Sequence, residues 1–174
     1  MRKLLLLLIF MPAFVVAQNS PYKYYKLDKG ELLFENIYHV DSLTADQIGA
    51  MLKREIPKIQ GIVDIRTEGN LLTGRIRNSN INYRKAGHNP MNTYSLLDNP
   101  FDAGVTIEWK DGRYRVTLSG VVFHTGKDFN KVFLNTVLIK KGSEWYTNKM
   151  SRQIGNYSEE YYASIFSVTN NDNW

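Results

Sequence analysis

The sequence contains no cysteine among its 174 residues. This absence excludes a disulfide scaffold, a cysteine-ligated zinc or iron–sulfur site, thiol catalysis and the lipidated cysteine of a bacterial lipoprotein. No long apolar run follows residue 17, so no transmembrane helix is expected beyond that point. The formal net charge of +5 is enough for solubility but small for a nucleic-acid-binding protein, and no nucleic-acid partner is expected.

Residues 1–17 have the layout of a secretory signal peptide. They begin with a short positive segment, continue with an apolar run that Pro12 interrupts, and end in small residues suited to signal peptidase. Cleavage is predicted between Ala17 and Gln18. A membrane anchor is the alternative, but the run is shorter than the ~20 residues that span a bilayer. The sequence therefore predicts an exported protein of the periplasm, the cell surface or the exterior, with no transmembrane segment after cleavage.

The remaining chain is expected to form one domain with short flanking segments. Residues 18–30 are polar and tyrosine-rich without a clear period, which predicts a loose N-terminal arm. Residues 31–169 are expected to form a single α+β domain, and residues 170–174 a polar tail. A chain of this length is long enough to bury one good core.

A strand at residues 32–40 is predicted to lead into a helix with clear start and stop signals. Thr44 and Gln47 have the spacing of a capping box, and apolar residues then recur at helical intervals. Pro57 is expected to end this helix, because the residue before a proline disfavours the α conformation.

The next segment predicts a first β-hairpin. Residues 69–70 are a glycine–asparagine turn signal between two runs of alternating polarity. The register that this turn implies pairs Val63 with Ile76 on the core face and Asp64 with Arg75 on the other face.

A second hairpin has a stronger signal. Residues 111–112 are an aspartate–glycine turn flanked by strictly alternating strands. The implied register places Trp109 opposite Tyr114 and Ile107 opposite Val116 on the core face.

The C-terminal part of the sequence is less uniform. Residues 129–139 fit either a helix or a strand, and both interpretations stay open. A final helix is predicted to begin at Asn156 or Ser158, with Glu159 and Glu160 in its first turn, where the helix dipole favours acidic side chains.

These elements predict an α+β fold of the order β-α-β-β-β-β-α, with an antiparallel sheet of about five strands and helices on one face. The order and spacing of residues 34–40, 43–48, 110–115 and 137–142 resemble a group of exported bacterial domains of unknown function with a TATA-binding-protein-like (TBP-like) fold. The resemblance covers nearly all of the chain after residue 30 and implies that the sheet is curved. The group has no agreed catalytic residues, so the resemblance implies none here.

The outer face of the predicted sheet is the candidate binding surface. Basic side chains from both hairpins project onto it, offset by few acidic ones. One interpretation is a solvated face held together by cross-strand ion pairs, which the sequence favours. The other is a surface for an anionic partner, carried by Arg66, Arg75, Arg77, Lys110, Arg113 and Arg115.

No catalytic residue, metal-ligand set or cofactor site emerges from the sequence. None of the three histidines has a second ligand at metal-binding spacing. A glycine-containing segment at residues 120–128 departs from the phosphate-binding loop in both spacing and final residue. The leading hypothesis is therefore an exported, non-enzymatic binding or accessory domain that recognises a protein or an anionic surface polymer.

The alternative hypothesis is a hydrolase-like enzyme with its site in a long loop. Residues 82–103 contain glycine, proline and several asparagines, and a loop of this length is either functional or a tolerated surface insertion. His88, Asp98 and Asp102 are the candidate residues. This hypothesis requires the fold to bring the three side chains together.

Overall fold

All strand pairs within the described residues are antiparallel and belong to one sheet. The protein is seen in a computed structural model that describes residues 20–84, 86–126, 130–141 and 144–168. The strands are β1 (Tyr25–Asp28), β2 (Glu31–His39), β3 (Ile62–Glu68), β4 (Leu71–Ser79), β5 (Phe101–Lys110), β6 (Arg113–Thr125) and β7 (Asn130–Phe133). Their order in space is β1-β2-β6-β5-β4-β3, and β7 pairs with the end of β6.

In the part of the chain that the structure describes, three α-helices cover one side of this curved sheet: α1 (Ala45–Glu55), α2 (Leu134–Leu138) and α3 (Lys149–Ile165). Short 3₁₀ turns lie at Ile56–Lys58, Pro90–Asn92 and Ser95–Asp98. The predicted α+β class, antiparallel sheet and one-sided helices are confirmed. Among the described residues the sheet has seven strands rather than about five, because the N-terminal segment and the short β7 each add a strand.

Helix α1 begins as its sequence predicts. The Thr44 N–H donates to the Gln47 side-chain oxygen at 2.9 Å, and the Gln47 N–H donates to the Thr44 hydroxyl at 3.4 Å. These two bonds form the reciprocal capping box, which satisfies N–H groups that the first turn leaves without partners. The α-helix ends at Glu55, and Pro57 lies in the 3₁₀ turn that follows.

The second hairpin has the predicted register. Trp109 pairs with Tyr114 and Ile107 with Val116, and all four side chains are buried. Alternation along β5 and β6 therefore separates a core face from an outer face, as the sequence indicates.

The first hairpin differs from its prediction at one end. Ile62, not Val63, pairs with Ile76, because the register shifts between Val63 and Arg66. Asp64 lies at this β-bulge with a left-handed φ of 56°, a conformation that aspartate tolerates better than most residues. Val63 is consequently turned to the outer face, where it is exposed.

The prediction of a loose arm at residues 18–30 is wrong for its described part. Residues 25–28 form β1, which pairs with β2, and the rings of Tyr22 and Tyr25 are buried in the core. The Tyr22 hydroxyl donates to the Ser151 carbonyl at 2.9 Å, and the Tyr25 hydroxyl lies 2.7 Å from that of Ser158. The tyrosines lack strand periodicity because they pack against α3 as well as against the sheet.

Glu159 joins this N-terminal segment to α3. Its carboxylate accepts hydrogen bonds from the backbone N–H groups of Lys23 at 3.4 Å and Tyr24 at 3.0 Å. Burial raises the pKa of Glu159, which the two backbone donors only partly counteract. The predicted position of Glu159 in a first helical turn is wrong, because α3 begins at Lys149 with Asn148 as its N-cap.

The remaining segments also refine the sequence interpretation. Both interpretations of residues 129–139 hold in part, since β7 is followed at once by α2. The segment at residues 82–103 is no featureless insertion: β5 begins at Phe101, and Leu97 is fully buried. Residues 1–17, the predicted cleavage site and the tail at residues 170–174 lie outside the described residues.

Candidate functional site

The outer face of the sheet carries all six basic residues singled out from the sequence. Thr106 and Glu108 alternate with buried Val105 and Ile107 along β5, and the neighbouring strands follow the same pattern. The six basic side chains are exposed: Arg66, Arg75, Arg77, Lys110, Arg113 and Arg115. The structure thus places them on the side of the sheet opposite the helices.

Two of these six residues are held in ion pairs. The Arg115 Nε donates to Glu108 at 3.0 Å, and the same guanidinium lies 3.8 Å from Glu35. The hydrogen bond to Glu108 raises the pKa of Arg115. Arg77 donates to Asp64 at 3.0 Å. This part of the face therefore has the cross-strand ion pairs that the sequence favours.

The other four basic residues have no acidic partner among the residues that the structure describes. Arg66 and Arg75 lie on β3 and β4, whereas Lys110 and Arg113 lie directly opposite each other beside the β5–β6 turn. Arg75 lies opposite Gly104, six residues before Lys110 on β5 and thus roughly 20 Å away. The unpaired cations form two separate groups rather than one continuous basic surface.

We call His39, Arg113 and Lys110 the basic row, because they lie side by side on β2, β6 and β5. Like charges directly opposite each other destabilise a sheet, so this arrangement has a cost that no described ion pair offsets for Lys110 and Arg113. The nearest described carboxylate to His39 is that of Asp41, at 3.8 Å. Asp111, in the turn, instead accepts a hydrogen bond from the Ala45 N–H.

An apolar side chain lies next to the basic row. Ile37 pairs with Arg115 and is 46% exposed on the outer face. Ile37, Lys110, Arg113 and Arg115 line part of a shallow pocket of about 350 Å³. Sequence reasoning missed Ile37 because β2 pairs with β6, which is distant in the chain.

The three candidate residues of the hydrolase hypothesis do not all converge. The His88 Nε2 lies 2.9 Å from Glu160, and its ring stacks on Tyr157. Asp98 instead accepts a hydrogen bond from the Tyr83 hydroxyl. His88 and Asp98 are thus bonded to different partners.

Asp102 lies on the outer face, apart from the other two. Its carboxylate pairs with His124 at 2.9 Å and accepts a hydrogen bond from the Asn78 N–H at 2.8 Å. Burial raises the pKa of Asp102, but the hydrogen bonds from Asn78 and His124 outweigh it, so the pKa lies below the ordinary range. His88, Asp98 and Asp102 therefore do not form one site.

Comparison with known proteins establishes the fold. The chain matches no protein-family model and no curated protein. A solved structure of a TBP-like protein from Parabacteroides distasonis is similar with a TM-score of 0.57 at 10% identity, covering 83% of this chain and 96% of that one. A DUF4468 family protein from Bacteroides ovatus is similar with a TM-score of 0.51 at 13% identity, covering 85% and 93%.

The protein is therefore a TBP-like α+β domain, of the kind found in these bacterial proteins. The resemblance drawn from the sequence is confirmed at the level of fold. Fold alone does not assign a function, which must instead be inferred from the side chains of this chain. Within the described ranges, no helix is long and apolar enough to cross a membrane.

Proposed function

We propose that the protein is an exported, non-enzymatic binding domain whose outer sheet face recognises the anionic groups of a protein or surface polymer. The observation that carries this proposal is the basic row, where Lys110 and Arg113 lie opposite each other without an acidic partner in the described structure. A bound anion would remove the repulsion between them, so the charge arrangement favours an anionic partner.

The surroundings of the basic row support this assignment. His39 extends the row onto β2, and exposed Ile37 supplies an apolar contact beside it. The ion pair of Arg115 with Glu108 fixes that guanidinium at the rim of the same pocket. A partner with closely spaced anionic groups would therefore contact basic side chains on neighbouring strands, and these strands lie about 5 Å apart.

The test is binding to two polyanions of different chemistry, dextran sulfate and poly-L-glutamate. The double variant Lys110→Gln/Arg113→Gln should bind roughly 3- to 30-fold more weakly, since each exposed charge pair contributes up to ~1 kcal/mol. Affinity of the unaltered protein should also fall as salt is raised through about 0.1 M, where charges are screened over ~10 Å. Isothermal titration calorimetry measures both effects.

A charge-matched control separates a local site from net charge. Lys53 on α1 and Lys149 on α3 are exposed on the helical side of the molecule. The variant Lys53→Gln/Lys149→Gln removes the same charge, and it should bind the polyanions as the unaltered protein does. Equal weakening by both double variants would contradict the proposal, as would undiminished binding by a folded Lys110→Gln/Arg113→Gln variant.

Export is part of the same proposal and has its own test. The signal-peptide pattern of residues 1–17 supports it. Protein isolated from the envelope or medium of the producing bacterium should begin at Gln18 when its N-terminus is sequenced. An intact Met1 on the protein in those fractions would contradict the cleavage, and retention in the cytoplasm would contradict export.

A further inference from the structure

A large cleft lies between α3 and the segment that connects β4 to β5. Its volume is about 770 Å³, within the range of small-molecule sites. Ile59 and Gln60 close it near the start of β3, and Tyr161 and Ser164 form its wall on α3. The outer-face residues Lys110 and Arg113 do not line this cleft, so it is a second site, independent of the basic row.

The cleft has an apolar floor and a polar rim. Leu97 is fully buried beneath it, and the half-buried Ile59 and Tyr161 supply the apolar surface that a ligand can reach. The rim consists of exposed groups that both donate and accept hydrogen bonds, among them the Gln60 and Asn80 amides. Such a lining suits a ligand that has apolar C–H surface and many hydroxyl groups.

The carboxylates of the rim are fixed in place by neighbouring side chains. The Tyr83 hydroxyl donates a hydrogen bond to the Asp98 carboxylate, and this bond raises the pKa of Tyr83. The His88 ring contacts Glu160 at 2.9 Å and is itself held by stacking on Tyr157. The two acceptors are therefore oriented before any ligand arrives, which reduces the entropy lost on binding.

The charged residues of the described cleft lining are of both signs. Asp98 and Glu160 are accompanied by the Arg84 guanidinium on the same rim and by His88 next to Glu160. A strongly cationic or strongly anionic ligand would gain little from this arrangement. A neutral ligand can use the same groups as hydrogen-bond donors and acceptors, without the cost of desolvating an unpaired charge.

We propose that this cleft binds a neutral saccharide. The planar carboxylate, amide and guanidinium groups of the rim match the adjacent hydroxyls of a sugar ring. The half-buried Ile59 and Tyr161 take the C–H face of the ring. The saccharide site is separate from the anion-binding surface and does not depend on it.

Titration of the isotope-labelled protein with maltotriose, cellotriose and triacetylchitotriose, followed by NMR, tests the proposal. At least one of these sugars, at up to about 10 mM, should shift the backbone amide signals of Asn80, Glu160 and Ser164. Ser164→Phe places a ring in the cleft and should weaken that binding at least roughly tenfold. Asn156→Phe adds the same ring at an exposed position of α3 outside the cleft lining, and it should bind as the unaltered protein does.

The alternatives give different results. Absence of shifts with all of these sugars would overturn the proposal, as would shifts that persist unchanged in a folded Ser164→Phe variant. Spermidine and citrate serve as cationic and anionic comparisons. A stronger response of the cleft signals to either than to the sugars would show a charged-ligand site and would also overturn the proposal.

Discussion

Replacing Ile107 by alanine should lower the free energy of unfolding by about 2–5 kcal/mol. Ile107 is fully buried at the centre of the sheet, where it pairs with Leu72 on β4 and Val116 on β6. Truncation leaves a cavity that paired strands on both sides prevent from collapsing, and this places the expected cost in the upper part of the range. Chemical denaturation followed by circular dichroism measures it.

Thr106→Ala is the matched control for this substitution. Thr106 is the preceding residue on the same strand, but its half-exposed side chain lies on the outer face of the sheet. The expected change is within about 0.5 kcal/mol. Comparable losses at Thr106 and Ile107 would show that the assignment of core and outer faces is inverted.

Gly155→Ala should destabilise the protein by about 1–3 kcal/mol, although alanine is the better helix former. A Cβ atom at Gly155 would lie 2.1 Å from Cε1 of the Tyr22 ring. That ring cannot easily shift, because its hydroxyl is bonded to Ser151 and its edges contact Tyr25 and Trp145. Thermal and denaturant unfolding measure the loss.

A double-mutant cycle identifies the cause of this effect. In a Tyr22→Ala background the clash is absent, and Gly155→Ala should then be neutral or stabilising by up to ~1 kcal/mol. Asn156→Ala, at the next and exposed position of α3, should change stability little in either background. An equal loss from Gly155→Ala with and without Tyr22 would contradict the proposed packing of the N-terminal segment against α3.

The parts of the fold that depend on neighbouring residues could be predicted from the sequence. The cap of α1 requires only Thr44 and Gln47, and the register of the second hairpin follows from its turn and from strict alternation. The bulge at Asp64 could not be predicted, because aspartate at this position is compatible with a regular strand as well. A one-residue shift there was enough to move Val63 to the outer face.

The candidate sites show the same limit. Alternation placed Lys110 and Arg113 correctly on the outer face, since both belong to one hairpin. Ile37 and His39 lie beside Lys110 and Arg113 only because β2 pairs with β6, and no local sequence pattern reveals that pairing. The cleft depends on still more distant contacts, for it brings Gln60 and Asn80 to the C-terminal half of α3.

The contacts of the first described tyrosines with α3 constrain the order in which the chain can fold. Tyr25 meets Ser158 across 133 positions of sequence, and the Tyr24 N–H meets Glu159 across 135. Contacts of such separation form late, because closing so large a loop costs conformational entropy that only the contacts of an already ordered intervening chain offset. During synthesis the N-terminal segment therefore cannot complete its packing until the last helix has formed, and loss of either segment would leave the same apolar surface uncovered.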